Sequence, residues 1–470
     1  MTSDQALNAD EILDRAGVPN PAPADEWGAG TVDEHGRRRP PGMLPEELWN
    51  ASPVLRHIRQ AAHARCCSGD VVLHGTLSRL SGMISHNLRA ETGVGSSASL
   101  NLFSAAVGPT GAGKTSAMGV VRELLSPPAD KDFKDFMPLG SGEGFAEVYM
   151  GTVEEPTGDI HRAGKSKGDP ILVKVRRQVR HRSFFYCDEG ETLTKLLERN
   201  GSTIGETVRR AGIGETLGQT NASEERTRII PAGSYSMGLL VGFQPETALP
   251  LLEDAKAGTP QRFLWGVAVD PTIPDEPLDW PGELALGDAL EAATPTPITF
   301  DQNIRRELYR ERLAKVRGEA TVELLDSHKP LMLVKVSALL ALLHGRRHVG
   351  VEEWELARLM WEASCATRDH TLAYGERVRA REAEAQTAAH VDRELKTHRA
   401  KATADRAVER VAKRLGRLVH ESGGMTRGDL RRKTAARDRG HLTDALDFAE
   451  SRGWVVDTEE RMVPGESRPS

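Results

Sequence analysis

The chain has 470 residues, 39% hydrophobic and 28% charged, with a formal net charge of −6. That length calls for two or three domains rather than one core, and that composition argues against a disordered chain. No apolar run reaches bilayer length, and the acidic start "MTSDQALNADEILDRAG" lacks a signal-peptide core, so a cytoplasmic protein without membrane contact is expected.

In chain order, residues 1–44 are rich in Pro, Gly and acid and read as a disordered acidic tail with at most a short helix near 6–16. Residues 45–98 show helical spacing in "LPEELWNASPVLRHIRQAAHAR" and "DVVLHGTLSRLSGMISHNLRA" and predict an N-terminal helical segment. Residues 99–275 alternate strands and helices. "LNLFSAAVG", "ILVKVRRQ", "SFFYCDEG", "SMGLLVGFQ" and "RFLWGVAVD" are the strand candidates, which predicts an α/β core with a parallel sheet covered on both faces. A Pro-rich, acidic connector covers 271–297. Residues 300–375 read as a helical lid of amphipathic helices, and 376–403 as a charged linker helix. In 404–470 the pattern gives a helix over 406–420, a basic helix over 426–436, a third over 438–452, and strand–turn–strand in "GWVVDTEERMVPG". Three helices and a hairpin in this length predict a winged helix. Charge is unevenly placed: 406–439 carries eleven bases against four acids, while 1–50 carries ten acids against four bases. The four cysteines form no C-x-x-C pair and read as small buried side chains.

"GPTGAGKTSA" has the form G-x-x-x-x-G-K-[ST] and lies between a strand candidate and a helix candidate. Gly108, Pro109, Thr110, Gly111, Ala112, Gly113, Lys114, Thr115 and Ser116 are the expected ATP-binding residues. The glycines let backbone N–H groups approach phosphates, and the following helix adds its own N–H groups. Lys114 is expected on the β- and γ-phosphates, and the Thr115 hydroxyl on Mg²⁺. "SFFYCDEG" ends a strand on two acids: Asp188 to hold Mg²⁺ through water, Glu189 to deprotonate the attacking water. Glu143, in "PLGSGEGFAE", is the rival base. Gln244 closes "GLLVGFQ" as a candidate γ-phosphate sensor. Arg262, in "AGTPQRFLW", is a candidate arginine finger acting across a subunit boundary. Lys335 is a lone cation in an apolar helix, reaching the phosphates from the lid or snorkelling.

"VGPTGAGKTSA", "YCDEGETL", "LLVGFQPE" and "GTPQRFLW", in this order, resemble a family of P-loop ATPases of prophages and integrating plasmids of high-G+C bacteria. That family is similar to ring-forming AAA+ or RecA-like replicative helicases and is often joined to a primase-polymerase domain. The resemblance spans roughly 45–375 and extends to the winged helix. It implies the same roles for Lys114, Thr115, Asp188, Glu189, Gln244 and Arg262, with AAA+ and RecA-like strand orders both open. No primase domain is legible, so a separate primase is the implied partner.

Three functions remain open from the residues. The first is an ATP-dependent DNA helicase or translocase, a homo-hexamer with single-stranded DNA in its pore. Its candidate contacts are Arg209 and Arg210, Arg226 and Arg228, and, on duplex, the basic winged helix with Arg427, Arg431, Arg432, Lys433, Arg437 and Arg439. The second is an ATP-switched regulatory or defence ATPase acting on a protein. The third is a DNA-binding initiator that does not unwind.

Overall fold

The structure, a computed structural model, describes residues 27, 30–32, 36–127, 132–162, 169–219, 228–321 and 323–470. The acidic-tail expectation for 1–26 and the candidate Arg226 lie outside these residues. The described chain separates into two compact units, one through Val378 and one from Arg379.

In the first unit a short helix at Glu46–Asn50 precedes α1 (Pro53–His63) and α2 (Gly69–Met83). Both α1 and α2 are started by a serine: Ser52 accepts from the Leu55 N–H and Ser68 from the Val71 N–H. β1 (Leu88–Glu91) and β2 (Leu102–Val107) come next, then α3 (Lys114–Leu124) and β3 (Phe133–Met137). The short α4 (Gly142–Glu147) leads into a two-stranded antiparallel ribbon, β4 (Met150–Ile160) with β5 (Pro170–Gln178). Then come β6 (Arg182–Cys187), α5 (Gly190–Glu198) and α6 (Ile204–Ile213). A second small antiparallel ribbon pairs β7 (Leu217–Gln219) with β8 (Arg228–Ile230), before β9 (Ser236–Phe243) and β10 (Phe263–Val267).

Five of these strands make one parallel sheet in the order β10-β2-β9-β6-β3. The α/β class with a parallel sheet, expected from the alternation of elements, is thus present. Side-chain alternation along β2 feeds two cores. Leu102 and Ala106 join the core that holds α2 and α3; Phe103, Ala105 and Val107 join the opposite one with Phe145, Val208 and Trp265.

α2 is not the flank that its sequence suggested. All fifteen of its residues are buried, and it lies directly on β9 and β6. Two glycines permit that approach: a Cβ on Gly82 would meet the Ser183 carbonyl, and one on Gly238 the Ser78 carbonyl. Two of its hydroxyls find partners in the sheet, Ser78 Oγ with Ser104 Oγ at 2.7 Å and Ser81 Oγ with the Met237 carbonyl at 3.2 Å. "ILVKVRRQ" also departs from expectation. It is β5, paired with β4 outside the five-stranded sheet, and Leu172 and Val173 on it are exposed. A short apolar run does not say whether a sheet or solvent faces it.

Beyond the connector, β11 (Thr296–Phe300) precedes α7 (Gln302–Val316), capped by Asp301, and α8 (Lys329–Leu343). β12 (His348–Val349) completes a second parallel sheet, β12-β11-β1, that joins this region to the N-terminal segment. The segment expected as a lid is therefore part of the same unit. α8 is buried from Met332 to Leu343 and packs against α2, so it is a core helix rather than an amphipathic one. α9 (Val351–Ser422) is continuous over 72 residues, and its residues 380–400 are exposed throughout.

In the second unit, the last turns of α9 pack with α10 (Arg427–Lys433), α11 (Leu442–Ser451) and an antiparallel hairpin of β13 (Val455–Asp457) and β14 (Met462–Pro464). Val411, Leu415, Val419, Leu430, Leu446, Val455 and Met462 form its core. Met425 bridges to Met462 and ties the segment before α10 to the hairpin. Among the described residues no helix is long and apolar enough to cross a membrane.

Candidate functional site

In an open parallel sheet the crevice lies outside the carboxyl ends of the strands, where the order reverses. Here the chain leaves β2 for the far edge at β3, returns through β6 and β9, and crosses to β10. β2, β9 and β6 therefore end side by side, and the segments leaving their carboxyl ends border one cleft of about 480 Å³.

The turn after β2 forms its floor. The Gly108 N–H donates to the Phe243 carbonyl at 3.1 Å, which anchors the turn to β9. Gly111 and Gly113 take φ of +82° and +74°, a region that costs a side-chain-bearing residue about 1 kcal/mol or more. Gly113 is the N-cap of α3 and contributes no side-chain acceptor, so the first N–H groups of the helix point toward the cleft unsatisfied. Thr110, Gly111, Ala112, Gly113, Lys114, Thr115 and Ser116 all line it, whereas Gly108 and Pro109 do not. Lys114 Nζ donates to the Gly108 and Pro109 carbonyls, at 2.7 and 2.9 Å. Partial burial pulls its pKa below the usual lysine value, opposed by the Asp188 and Glu246 carboxylates.

Asp188 and Glu189 arrive from the end of β6. Thr115 Oγ1 donates to the Asp188 carboxylate, 2.7 Å from one oxygen and 3.0 Å from the other, joining residues 73 apart in sequence. Glu189 is exposed, is the N-cap of α5 and lines the cleft; Gln244, just past β9, lines it too and is exposed. Tyr186 is the partner that sequence reasoning missed. Its hydroxyl donates to Asp188 at 2.7 Å, and burial, with the Asp188 carboxylate added, pushes its pKa far up, so it stays a donor. The signal was available: residues two apart on a strand share a face.

No family model matches the chain, and no curated protein matches it.

The other candidates lie elsewhere. Glu143 is in the first turn of α4, accepts from Gln219 Nε2 at 2.6 Å, and lies 3.8 Å from Arg228; it lines a different cavity. Arg262 precedes β10, at the amino edge of the sheet, whereas the cleft is at the carboxyl edge, roughly 16 Å of strand away. Its guanidinium donates to the Gly258 carbonyl, and burial lowers its pKa, with Arg209 adding to the effect. Lys335 neither snorkels nor reaches the cleft. It is buried, donating to the Asn101 carbonyl at 2.7 Å and to that of Gly212, and burial pulls its pKa to about 7. Arg209 bonds Thr259, Arg210 pairs with Glu206, and Arg228 pairs with Glu147. Among the described residues no group of three or more His, Cys, Asp or Glu is arranged to hold a metal.

Proposed function

We propose that the chain is an ATPase of the P-loop kind that moves along DNA, a helicase or translocase acting as a homo-hexamer. The observation that carries this reading is the convergence of Lys114, Thr115, Asp188, Glu189 and Gln244, from three separated segments, on one cleft over a glycine turn and a helix N-terminus. In it the turn and α3 cradle the phosphates, and Lys114 swings from its backbone carbonyls to the β- and γ-phosphates. The Thr115 hydroxyl and Asp188 carboxylate are adjacent hard oxygen donors, which suits Mg²⁺, an ion that keeps most of its waters. Mg²⁺ would neutralise charge on the phosphates. Tyr186 fixes the Asp188 carboxylate, Glu189 takes the proton of the attacking water, and Gln244 contacts the γ-phosphate. Glu189 is preferred to Glu143 because only Glu189 borders the cleft. Arg262, at the opposite sheet edge, fits an arginine finger only if it serves a neighbouring subunit.

The DNA half of the reading is supported by the second unit, whose three helices and hairpin are read as a winged helix with a basic α10. The test is steady-state ATP hydrolysis by wild type and Lys114→Ala, with and without single-stranded DNA. Stimulation by DNA, and a loss of roughly 100-fold or more in the variant, is expected. Hydrolysis indifferent to DNA would sink the translocase and favour an ATPase acting on a protein.

A further inference from the structure

We propose that the outer face of α7 is a binding surface for single-stranded nucleic acid, contacted through Arg306 and Arg310, with Arg312 on the flank of the helix and Tyr309 as a stacking platform. The proposal rests on the nucleic-acid half of the function above and places a contact where nothing in the motifs pointed. Ile304 and Leu308 fasten the inner face of α7 to the core. At 100° per residue, Arg306, Tyr309 and Arg310 fall on the opposite half, while Arg305 and Arg312 lie on one flank of the helix. The acids of the helix do not share that face. Glu307 is paired with Arg358 at 2.5 Å and Glu311 with Lys315 at 2.7 Å, both on the inward side.

Arg305 is held by the Thr92 carbonyl at 3.1 Å. Arg306, Arg310 and Arg312 are exposed and make no hydrogen bond or ion pair among the described residues. Tyr309 stands among them, 58% exposed, a large aromatic in water with no ring partner among the described residues. A cavity of about 330 Å³ runs along this face, between Arg305, Arg306, Tyr309 and Arg310 on one side and the Gly93 turn on the other.

Unneutralised guanidinium groups select a polyanion. An exposed ring between them selects one that also carries flat, stackable groups. Single-stranded nucleic acid has both at every residue; a duplex hides its bases, and an acidic polypeptide or an anionic membrane has none to stack.

The experiment is fluorescence anisotropy of labelled oligothymidylate with the full chain, between about 50 and 200 mM salt. The variants are Arg306→Ala/Arg310→Ala/Arg312→Ala, Tyr309→Ala and Tyr309→Phe, with ATP hydrolysis without DNA as the control for an intact fold. The triple variant should lose roughly tenfold or more in affinity and flatten the slope of log K against log salt by about 2. Tyr309→Ala should weaken binding by roughly 5- to 100-fold, while Tyr309→Phe keeps it. Wild-type affinity and slope in the triple variant overturn this proposal alone. Displacement by polyglutamate with Tyr309→Ala silent also overturns it, in favour of an acidic protein. No binding by wild type overturns it together with the DNA half of the proposed function.

Discussion

α10 packs Arg427, Arg431, Arg432 and Lys433 into seven residues, and α7 carries Arg305, Arg306, Arg310 and Arg312 among fifteen. By charge density along the chain α10 is the stronger candidate for DNA, and the sequence pointed there. In the structure the two helices differ in how many of these cations are held: two of the four on α10, Arg427 and Arg432, against Arg305 alone of the four arginines on α7. Arg427 is paired with Asp457 and Arg432 with Asp429; next in the chain, Arg439 is bonded to the Thr434 carbonyl and Arg437 lies 3.9 Å from Asp438. On α7 the acids face inward to other partners and three arginines are left free. A cation already paired must give up its partner before it can serve a phosphate; a free one loses only water. The same distinction separates other pairs of like residues in this molecule, and each pair can be tested.

The largest expected effect separates Glu189 from Glu143. Both are glutamates just beyond a strand of the sheet. Glu189 is exposed at the cleft, whereas Glu143 is bonded to Gln219 and close to Arg228. Glu189→Gln should lower kcat by about 10²–10⁴ with nucleotide binding retained, the size of a lost general base. Glu143→Gln should change kcat by less than about threefold, since only an exposed polar contact is lost. Steady-state hydrolysis beside a fluorescent-nucleotide titration reads both. The reverse ranking would return the base to the strand next to β6, as in the RecA-type arrangement.

Next in size is the contrast between Lys114, exposed enough to turn toward a ligand, and Lys335, sealed in α8. Burial lowers the Lys335 pKa from 10.5 to about 7 in the folded chain, with Arg262 contributing to the shift. Between those values the unfolded chain holds a proton that the folded chain does not, so stability rises with pH across that window and the gain is absent below about pH 7. Lys335→Met should remove this rise. Near pH 9 the loss of the donor to the Asn101 and Gly212 carbonyls, about 1–3 kcal/mol, should be largely offset, because the variant has no proton to release on folding. Urea midpoints of wild type and variant from about pH 6 to about pH 10 test this. Parallel profiles would mean that Lys335 is charged or solvated in the folded state.

The cleft was largely legible in the sequence, because its residues stand at a fixed spacing within short motifs. The glycine turn, Lys114, Thr115, Asp188 and Glu189 fall on a strand end or a helix start that apolar runs already mark, and parallel pairing brings those ends together. What was not legible depended on which surface an apolar or charged run meets. α2 reads as an ordinary helix, yet Gly82 and Gly238 let it sink onto the sheet. "ILVKVRRQ" reads as a core strand, yet its partner is β4. Lys335 reads as a lone cation, and its two carbonyl partners come from residues more than a hundred positions away. Tertiary partners decide these cases, and local spacing does not encode them.

The smallest effect probes α10 itself. The Arg427 side chain is 61% exposed and that of Asp457, its partner on β13, is 22% exposed, an ion pair at the rim of the second unit's hairpin. A pair that open contributes about 0–1 kcal/mol, so Arg427→Ala should shift the unfolding midpoint by an amount near the limit of detection. Its effect on duplex DNA should be equally slight, because a guanidinium held by Asp457 releases no counterion when DNA arrives. Arg431 and Lys433 make no ion pair among the described residues. Replacing both by Ala should therefore flatten the salt slope for duplex binding by about 2, if α10 lies along phosphates. If Arg427→Ala alone flattens that slope by about 1, the guanidinium leaves Asp457 for DNA, and pairing in the free chain ceases to mark which arginines are available.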